Sequence, residues 1–488
     1  MNLDNFKNKK IGILGLGIEG VALYKFFCDK ELELIVYDAT PLEELKKKVM
    51  GIEGASEIFE NSNISWRLGD NYLKDLAKDG LDFIFRSPGI SIFNSDLQAA
   101  SKAGAEISSQ IKLFFELCPA KIVGVTGTKG KGTTSSLIKN ILVTSGEYRD
   151  SDITAEAEQA SELSSVYLAG NIGSPAVTLL ENIQAKDVVI LELSSFQLMD
   201  LGRSPAIAVV TNLLIDHLDY HADVAEYQGA KRNILAHQKN GDLAILNLNS
   251  TFETDFIKTV PSEIKYFSRD SKAEAYVEGE NETARVLLKN GEAVCQSDEI
   301  KLFGRHNLEN IAAATLVGLA LDISLDSIKE AVKNFKGLPH RLEKVGEIQG
   351  ISFVNDSFAT NPEPTMAAIA AFREDKILIL GGSSKGADFA PLAKKIVEHQ
   401  VKGVILIGKE GSRIGEALEE AKYSGIVIRF QESPLEEIVE KCLEIGAAGE
   451  VVIFSPACAS FDYFKNYKVR GDSFRIAVQQ KSKGNING

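Results

Sequence analysis

The run Thr126-Gly127-Thr128-Lys129-Gly130-Lys131-Gly132-Thr133-Thr134 limits what this chain can fold into more than any other stretch. It follows a short apolar segment, 122–125, that reads as a buried strand, and it leads into a helical pattern over 133–143. A strand that ends in a glycine-rich loop and opens a helix makes a phosphate site. The loop's backbone N–H groups form a nest for phosphate oxygens, and a lysine adds a point charge to them. Such a unit belongs to a parallel sheet, because parallel strands need a crossover of about helical length between them. Gly127, Thr128, Lys129, Gly130, Lys131, Gly132 and Thr133 are therefore candidate nucleotide contacts. The run is not the strict G-x-x-x-x-G-K-[ST], because Val125 occupies the first glycine position. Gly132 also stands where a hydroxyl would reach Mg²⁺, which leaves Thr133 or water to supply that oxygen.

Helical and strand patterns alternate along most of the chain, so the expected class is α/β with parallel sheets. The first block opens with a strand at 11–14, a turn at 15–20, a helix at 21–28 and a second strand at 34–37 that ends at Asp38. Its turn, Gly15-Leu16-Gly17-Ile18-Glu19-Gly20, fits G-x-G-x-x-G after a strand and before a helix, the pattern of a nucleotide site. Asp38 stands where a ribose-binding acid would lie. A further strand at 83–85 runs into Ser87-Pro88-Gly89-Ile90. In the second block, Glu192 ends a strand at 188–193, at the same sheet edge as the phosphate loop, a natural place for Mg²⁺. Asp216-His217-Leu218-Asp219-Tyr220-His221 follows the strand at 207–211 and reads as functional rather than as zinc, since no Cys lies nearby. Lys231, on an amphipathic helix, reads from sequence alone as a surface lysine. The acidic stretch 147–165 reads as a surface insertion, and Asn290-Gly291 as a hairpin turn.

The third block starts near Leu338, with strands at 351–355, 377–380, 404–407, 426–430 and 451–454. Three of them run into Asp356-Ser357-Phe358-Ala359-Thr360-Asn361, Gly381-Gly382-Ser383-Ser384-Lys385-Gly386 and Ser455-Pro456-Ala457-Cys458-Ala459-Ser460. Loops at strand carboxyl ends should converge on one crevice, here suited to a small anion.

Charge narrows the partners. With 54 Lys plus Arg against 68 Asp plus Glu, the net charge is −14. General nucleic-acid or anionic-membrane binding needs a basic face and is not expected. The longest mostly apolar run, 311–321, is too short to span a bilayer, and no targeting segment is evident. Cys28, Cys118, Cys295, Cys442 and Cys458 are scattered and odd in number, as for reduced thiols in a cytoplasmic chain.

The order of these motifs resembles the Mur ligase family, ATP-dependent amino-acid ligases of bacterial cell-wall synthesis, over nearly the whole chain. The T-G-T-x-G-K loop, Gly170-Asn171-Ile172-Gly173, the L-E-L-S-S-F-Q-L run from Leu191, Gly304-Arg305-His306-Asn307 and Pro339-His340-Arg341-Leu342-Glu343 are similar to motifs of the wider family. The initial G-x-G-x-x-G, Ser87-Pro88-Gly89-Ile90, the D-S-x-A-T-N run and the stretch from Ser455 to Asn466 are similar to its D-glutamate-adding members. The resemblance implies three domains: a Rossmann-like UDP-substrate domain (1–118), a central P-loop ATPase-type domain (119–338) and a Rossmann-like D-glutamate domain (339–488). It implies ATP-dependent ligation of D-glutamate to UDP-N-acetylmuramoyl-L-alanine by a monomer.

Carried over residue by residue, Lys131 and Arg341 would hold ATP phosphates, Asn307 and Asn310 would face adenine, and Asp356 the ribose. Glu192 and His217, with Thr133, would hold Mg²⁺, two ions being expected. Lys231 would bind the second ion as a carbamate. Gly15, Gly17, Gly20, Asp38, Ser87, Pro88, Gly89 and Asn171 would meet the UDP substrate. Thr360, Lys385, Ser460 and Tyr467 would meet D-glutamate. Gly132, Phe358 and Tyr467 depart from the family pattern: serine is usual at the first, many relatives carry lysine at the second and some carry phenylalanine at the third. A nicotinamide dehydrogenase would explain the first glycine turn but leave the phosphate loop idle. A non-catalytic nucleotide-binding module would leave Glu192 and His217 unexplained.

Overall fold

The computed structural model describes residues 3–151, 163–171, 173–214, 220–250, 252–280, 283–384, 386–430 and 434–484. The chain divides into two compact units. One comprises Met1–Glu280, Arg285–Gln296 and Glu309–Val332; the other Asn281–Ala284, Ser297–Leu308 and Lys333–Gly488.

The first unit holds two sheets. Strands β1 (Lys10–Leu14), β2 (Glu33–Asp38), β3 (Ile64–Leu68), β4 (Phe83–Arg86) and β5 (Glu106–Ser108) form a parallel sheet in the order β3-β2-β1-β4-β5. The second sheet contains β6 (Lys121–Thr126), β7 (Tyr148–Asp150), β8 (Ser164–Gly170), β9 (Val188–Glu192), β10 (Ile207–Val210), β11 (Leu243–Asn247), β12 (Glu263–Ser268), β13 (Ala275–Glu278), β14 (Arg285–Leu288) and β15 (Ala293–Gln296). Its order is β15-β14-β13-β12-β11-β10-β6-β9-β8-β7. The pairs from β7 to β13 are parallel, and β13, β14 and β15 are antiparallel neighbours. β9 and β10 are buried along their whole length, and all of β6 but Lys121 is buried, which is why these central strands read as unbroken apolar runs.

The second unit holds a sheet of β16 (Glu343–Ile348), β17 (Ile351–Asn355), β18 (Lys376–Gly381), β19 (Gly403–Ile407), β20 (Ile426–Arg429) and β21 (Val451–Phe454). The order is β16-β17-β21-β18-β19-β20, parallel except for the edge strand β16. Fold class and three-sheet organisation therefore agree with the sequence reading. Strand β16 was not expected, because an edge strand with one wet face leaves no apolar run.

Two helices begin earlier than expected, and both glycine motifs explain why. The first runs Ile18–Phe27, with Gly17 as its N-cap, so Gly20 lies inside the helix rather than in the turn. The second runs Lys131–Thr144, with Gly130 as N-cap at φ 84°, so Gly132 is helical. The stretch 147–165 is not wholly an insertion: its ends belong to β7 and β8, which pair in parallel at the sheet edge. Their mixed burial gives the stretch its polar look. Residues 152–162 lie outside the described residues. Asn290-Gly291 does sit in the β14–β15 hairpin. All five cysteines are free thiols. Among the described residues no helix is long and apolar enough to cross a membrane.

Gly20 is a packing requirement. A Cβ there would run into the Gly15 carbonyl oxygen, a backbone atom that cannot swing aside. Gly20→Ala should push the helix Ile18–Phe27 off β1 at a cost of about 1–3 kcal/mol, the range for overpacking. Thermal denaturation should show a lowered midpoint, and an unchanged midpoint would mean the helix repositions freely.

Candidate functional site

Strand order places the candidate groups side by side. Thr126 at the end of β6 is in register with Val210 of β10, and Val125 with Glu192 of β9, which in turn pairs with Gly170 of β8. Carboxyl ends of central parallel strands, where the chain turns to opposite sides, are where open α/β sheets bind ligands. The phosphate loop springs from this point.

The loop is held in shape from within. Lys131 Nζ donates to the Gly127 carbonyl at 2.9 Å and to the Thr128 carbonyl at 3.1 Å. Gly127 has φ 144° and a Cβ would collide with Thr211 Oγ1, so only glycine fits. Thr128 N–H and Lys129 N–H both donate to Asn212 Oδ1, at 3.2 and 2.9 Å. An oxygen acceptor is thus already accommodated by two successive loop amides, as a nest for phosphate requires. Asn310 Oδ1 accepts from Thr134 Oγ1 at 3.2 Å and stands against Gly130. Asn307 donates to the Phe303 carbonyl at 2.7 Å.

Lys231 is where the reading from residue patterns fails. The side chain is 2% exposed, not on the surface. Its Nζ donates to the Gly127 carbonyl at 3.0 Å and lies 3.4 Å from Thr126 Oγ1 and 4.8 Å from the Tyr227 ring centroid. Two lysines, Lys131 and Lys231, thus meet on one loop carbonyl. Glu192 is buried, and its Oε1 accepts from Asn171 Nδ2 at 2.9 Å. A buried carboxylate at this strand end is a hard-oxygen donor. It fits Mg²⁺, which is generally held by one or two carboxylates together with substrate phosphates.

His217 lies outside the described residues, as do Asp216 and Asp219. The second histidine of that run, His221, is 2% exposed and braces the wall. Its ring nitrogens lie 2.9 Å from Ser195 Oγ and 3.2 Å from Glu226 Oε1, and it stacks on Phe196. Tyr220 OH donates to the Pro88 carbonyl at 3.1 Å, which ties this run to the loop after β4.

At the glycine turn the three loops of the first sheet are joined. Ser87 Oγ donates to the Gly15 carbonyl at 3.0 Å. Asp38 is buried, and both its oxygens serve the backbone: Leu16 N–H donates to one and Thr40 N–H to the other, each at 2.8 Å. It thereby fixes the turn in which Gly15 and Gly17 sit. Pro88 is half-buried and Gly89 exposed.

In the second unit the three loops converge as expected. Ser455 Oγ donates to Asp356 Oδ2 at 2.6 Å, and Ser383 N–H to the Ala459 carbonyl at 2.9 Å. Asp356 is enclosed, and burial pushes its carboxyl up to about 7 despite donors from Ser455 and Leu342 and the charge of Arg341. Thr360 is half-buried and Ser460 buried, while Lys385 lies outside the described residues. Phe358 and Tyr467, two of the departures from the family pattern, are in contact. Their rings meet edge to face at 5.2 Å, and the Arg341 guanidinium lies 4.1 Å over Phe358. The aromatic face is attractive to the cation, so the ring orients Arg341.

Arg470 was missed altogether. It is 1% exposed and donates to Ser357 Oγ and to the carbonyls of Ser357, Cys458 and Ala459, at 2.9–3.2 Å. It fastens the loop after β17 to the loop after β21. Burial lowers its guanidinium to about 10. Its position ten residues beyond Ser460 carried no signal, since helix arginines are usually at the surface.

The chain matches a Mur ligase MurD-like N-terminal domain over residues 9–109, a Mur ligase middle domain over 125–318 and a Mur ligase glutamate ligase domain over 340–458. It is 36% identical over 479 residues to the UDP-N-acetylmuramoylalanine–D-glutamate ligase of Clostridium novyi, covering 97% of each chain. It is 37% identical over 475 residues to the ligase of the same name from Clostridium tetani, again over 97% of each. Among solved structures, UDP-N-acetylmuramate-alanine ligase MurC from Thermotoga maritima aligns with a TM-score of 0.56 at 16% identity, over 98% of this chain and 99% of that one. MurF ligase from Thermotoga maritima, in complex with ADP, aligns with a TM-score of 0.53 at 16% identity, over 99% and 97%. At such identity these likenesses show the fold.

Proposed function

The chain belongs to the Mur ligase family, and from that premise we propose that it joins D-glutamate to UDP-N-acetylmuramoyl-L-alanine with cleavage of ATP, in peptidoglycan precursor synthesis. The observation that carries this reading is the convergence of Lys131 and Lys231 on the Gly127 carbonyl, with Glu192 on the adjoining strand end. It is an ATP-dependent acid–amino-acid ligase. Its five free thiols support action in the cytoplasm.

The domain division at 1–118, 119–338 and 339–488 belongs to the same proposal, and the three sheets fall one to each span. In it, the first span takes the UDP moiety at Gly15, Gly17, Gly20, Ser87, Pro88 and Gly89, with Asp38 shaping the turn from behind, and Asn171 of the second span meets the same substrate. The second takes ATP at the loop 127–133 and at Asn310, and Asn307, Arg341 and Asp356 are carried over as ATP contacts. The third takes D-glutamate at Thr360, Lys385, Ser460 and Tyr467. Glu192, His217 and Thr133 would hold Mg²⁺, and Lys231, as a carbamate, a second ion. Bound there, Mg²⁺ would supply neutralisation of phosphate charge.

The chemistry requires an activated acyl group, because a carboxylate is a poor electrophile. The terminal carboxylate oxygen of the L-alanyl substrate attacks the γ-phosphorus, and the bond to the β-phosphate oxygen breaks to give ADP and an acyl phosphate. Lys131 holds the loop against the phosphates and offers its positive charge to the group in flight. The amine of D-glutamate then attacks the acyl carbon. A tetrahedral intermediate loses the amine proton and expels phosphate, leaving an amide.

The test is ADP release with each candidate amino acid, with and without UDP-N-acetylmuramoyl-L-alanine. Release should require that substrate and D-glutamate together. Equal turnover with L-glutamate, or turnover without the UDP-sugar, would sink the reading.

A further inference from the structure

Glu19 is the fifth residue of the glycine turn, a position the G-x-G-x-x-G pattern leaves open. It stands in the first turn of the helix Ile18–Phe27, where a negative charge suits the helix dipole. Its surroundings go beyond that. Glu19 Oε1 accepts from Gln110 Nε2 at 3.2 Å and from Gln197 Nε2 at 3.1 Å. Both glutamines are buried.

Their amide orientations are set by groups that can only donate. Gln197 Oε1 accepts from Ser194 N–H at 3.1 Å, and Gln110 Oε1 from Val177 N–H at 3.3 Å. Each carbonyl end being fixed by a backbone N–H, each NH₂ end must face Glu19. Ser194 lies two residues past Glu192, and the Ser194–Gln197 pair is a reciprocal cap on the helix Ser195–Leu198. Val177 lies six residues past Asn171, whose own N–H donates to the Glu192 carbonyl at 2.8 Å. One carboxylate thus grips both segments that flank the Glu192–Asn171 pair, and does so from the turn that shapes the first sheet's site.

We infer that Glu19 is a positioning residue: through Gln197 and Gln110 it sets the place of Glu192 and Asn171 relative to the glycine turn, so that a substrate held at the turn presents its acyl end to Glu192. The inference rests on the ligase reading above. Neither glutamine nor Glu19 need touch a substrate for it to hold. What matters is that deletion of the carboxylate frees two amides that have no second charged acceptor among the described residues.

The experiment is a double-mutant cycle with Glu19→Ala, Gln197→Ala and both, read as steady-state constants for each substrate. Glu19→Ala should raise the KM for UDP-N-acetylmuramoyl-L-alanine about 10-fold, the scale for one hydrogen bond to a charged group. The ATP KM should stay within about 2-fold, since the phosphate loop makes no bond to Glu19. The double variant should be no worse than Glu19→Ala alone, because Gln197 acts through the carboxylate already removed, and losses through one contact are non-additive. Multiplying losses, or a UDP-substrate KM that does not move in Glu19→Ala, would overturn the inference. So would equal rises in both KM values with a lowered thermal midpoint, which would mark general loosening. Wild-type protein runs in the same assay. If it released no ADP in response to D-glutamate the ligase reading would fail and take this role with it, whereas an active wild type with multiplying losses removes only the role of Glu19.

Discussion

Lys131→Ala should lower kcat by about 100-fold or more, the scale for deleting one preorganised electrostatic contact to a developing charge. The side chain has two jobs that the substitution removes together. Its ammonium bonds to the Gly127 and Thr128 carbonyls, which closes the loop on itself, and in the proposed reaction its charge is offered to the phosphates. Lys131→Gln separates the two, because an amide can still donate to the carbonyls but brings no charge. If charge dominates, Gln should be nearly as poor as Ala. Recovery in Gln to near wild-type rate would show that the lysine acts only as a brace. The KM for the UDP substrate should change little in either variant, since no bond links Lys131 to the glycine turn. Near-normal turnover in Lys131→Ala would mean that the loop after β6 is not where phosphoryl transfer occurs.

Lys131 was legible because its signal is local. Strand, loop, lysine and helix follow one another within a few residues, and each has its own pattern. Glu192 was legible for the same reason, as an acid ending an apolar run. The central strands could be read because they are buried on both faces. Edge strands were harder: β7 and β16 each have a wet side, and neither shows an apolar run.

What could not be read depends on residues distant in sequence. Arg470 looks like a surface helix residue until the loops holding Ser357 and Cys458 close around it. The contact of Phe358 with Tyr467 under Arg341 joins two positions over a hundred residues apart, each of which alone was only an odd substitution. Asp38 shows the converse. Its place at the end of β2 was correctly found, yet whether its oxygens face a ligand or the chain's own amides depends on how the glycine turn folds back. Glycines carry the same ambiguity. Gly17 serves the N-cap and Gly20 the packing of the helix on β1, although one motif names both.

Lys231→Ala should abolish most activity while leaving a folded protein that still binds ATP. The lysine sits on the helix Val224–Ala236 with its ammonium buried beside the phosphate loop. Burial disfavours the charged form of an amine, and the neutral amine is what reacts with CO₂. A carbamate exchanges one positive charge for one negative and presents two hard oxygens, a donor type that suits Mg²⁺. An unmodified ammonium at the same place would oppose a second cation. Truncation to Ala also strips a donor from the Gly127 carbonyl and the Thr126 hydroxyl, a loss of about 1–3 kcal/mol in stability where such groups stay buried. Activity must therefore be compared with the thermal midpoint and with ATP affinity measured on the same sample. Three outcomes mark the carbamate: kcat falls far more than the midpoint predicts, short carboxylic acids restore part of it by entering the vacated space, and removal of dissolved CO₂ slows the wild type reversibly. A CO₂-independent wild type, together with a Lys231→Ala variant that no carboxylic acid rescues, would leave Lys231 as a buried ammonium bracing the loop. Full activity in Lys231→Ala would remove it from the site entirely.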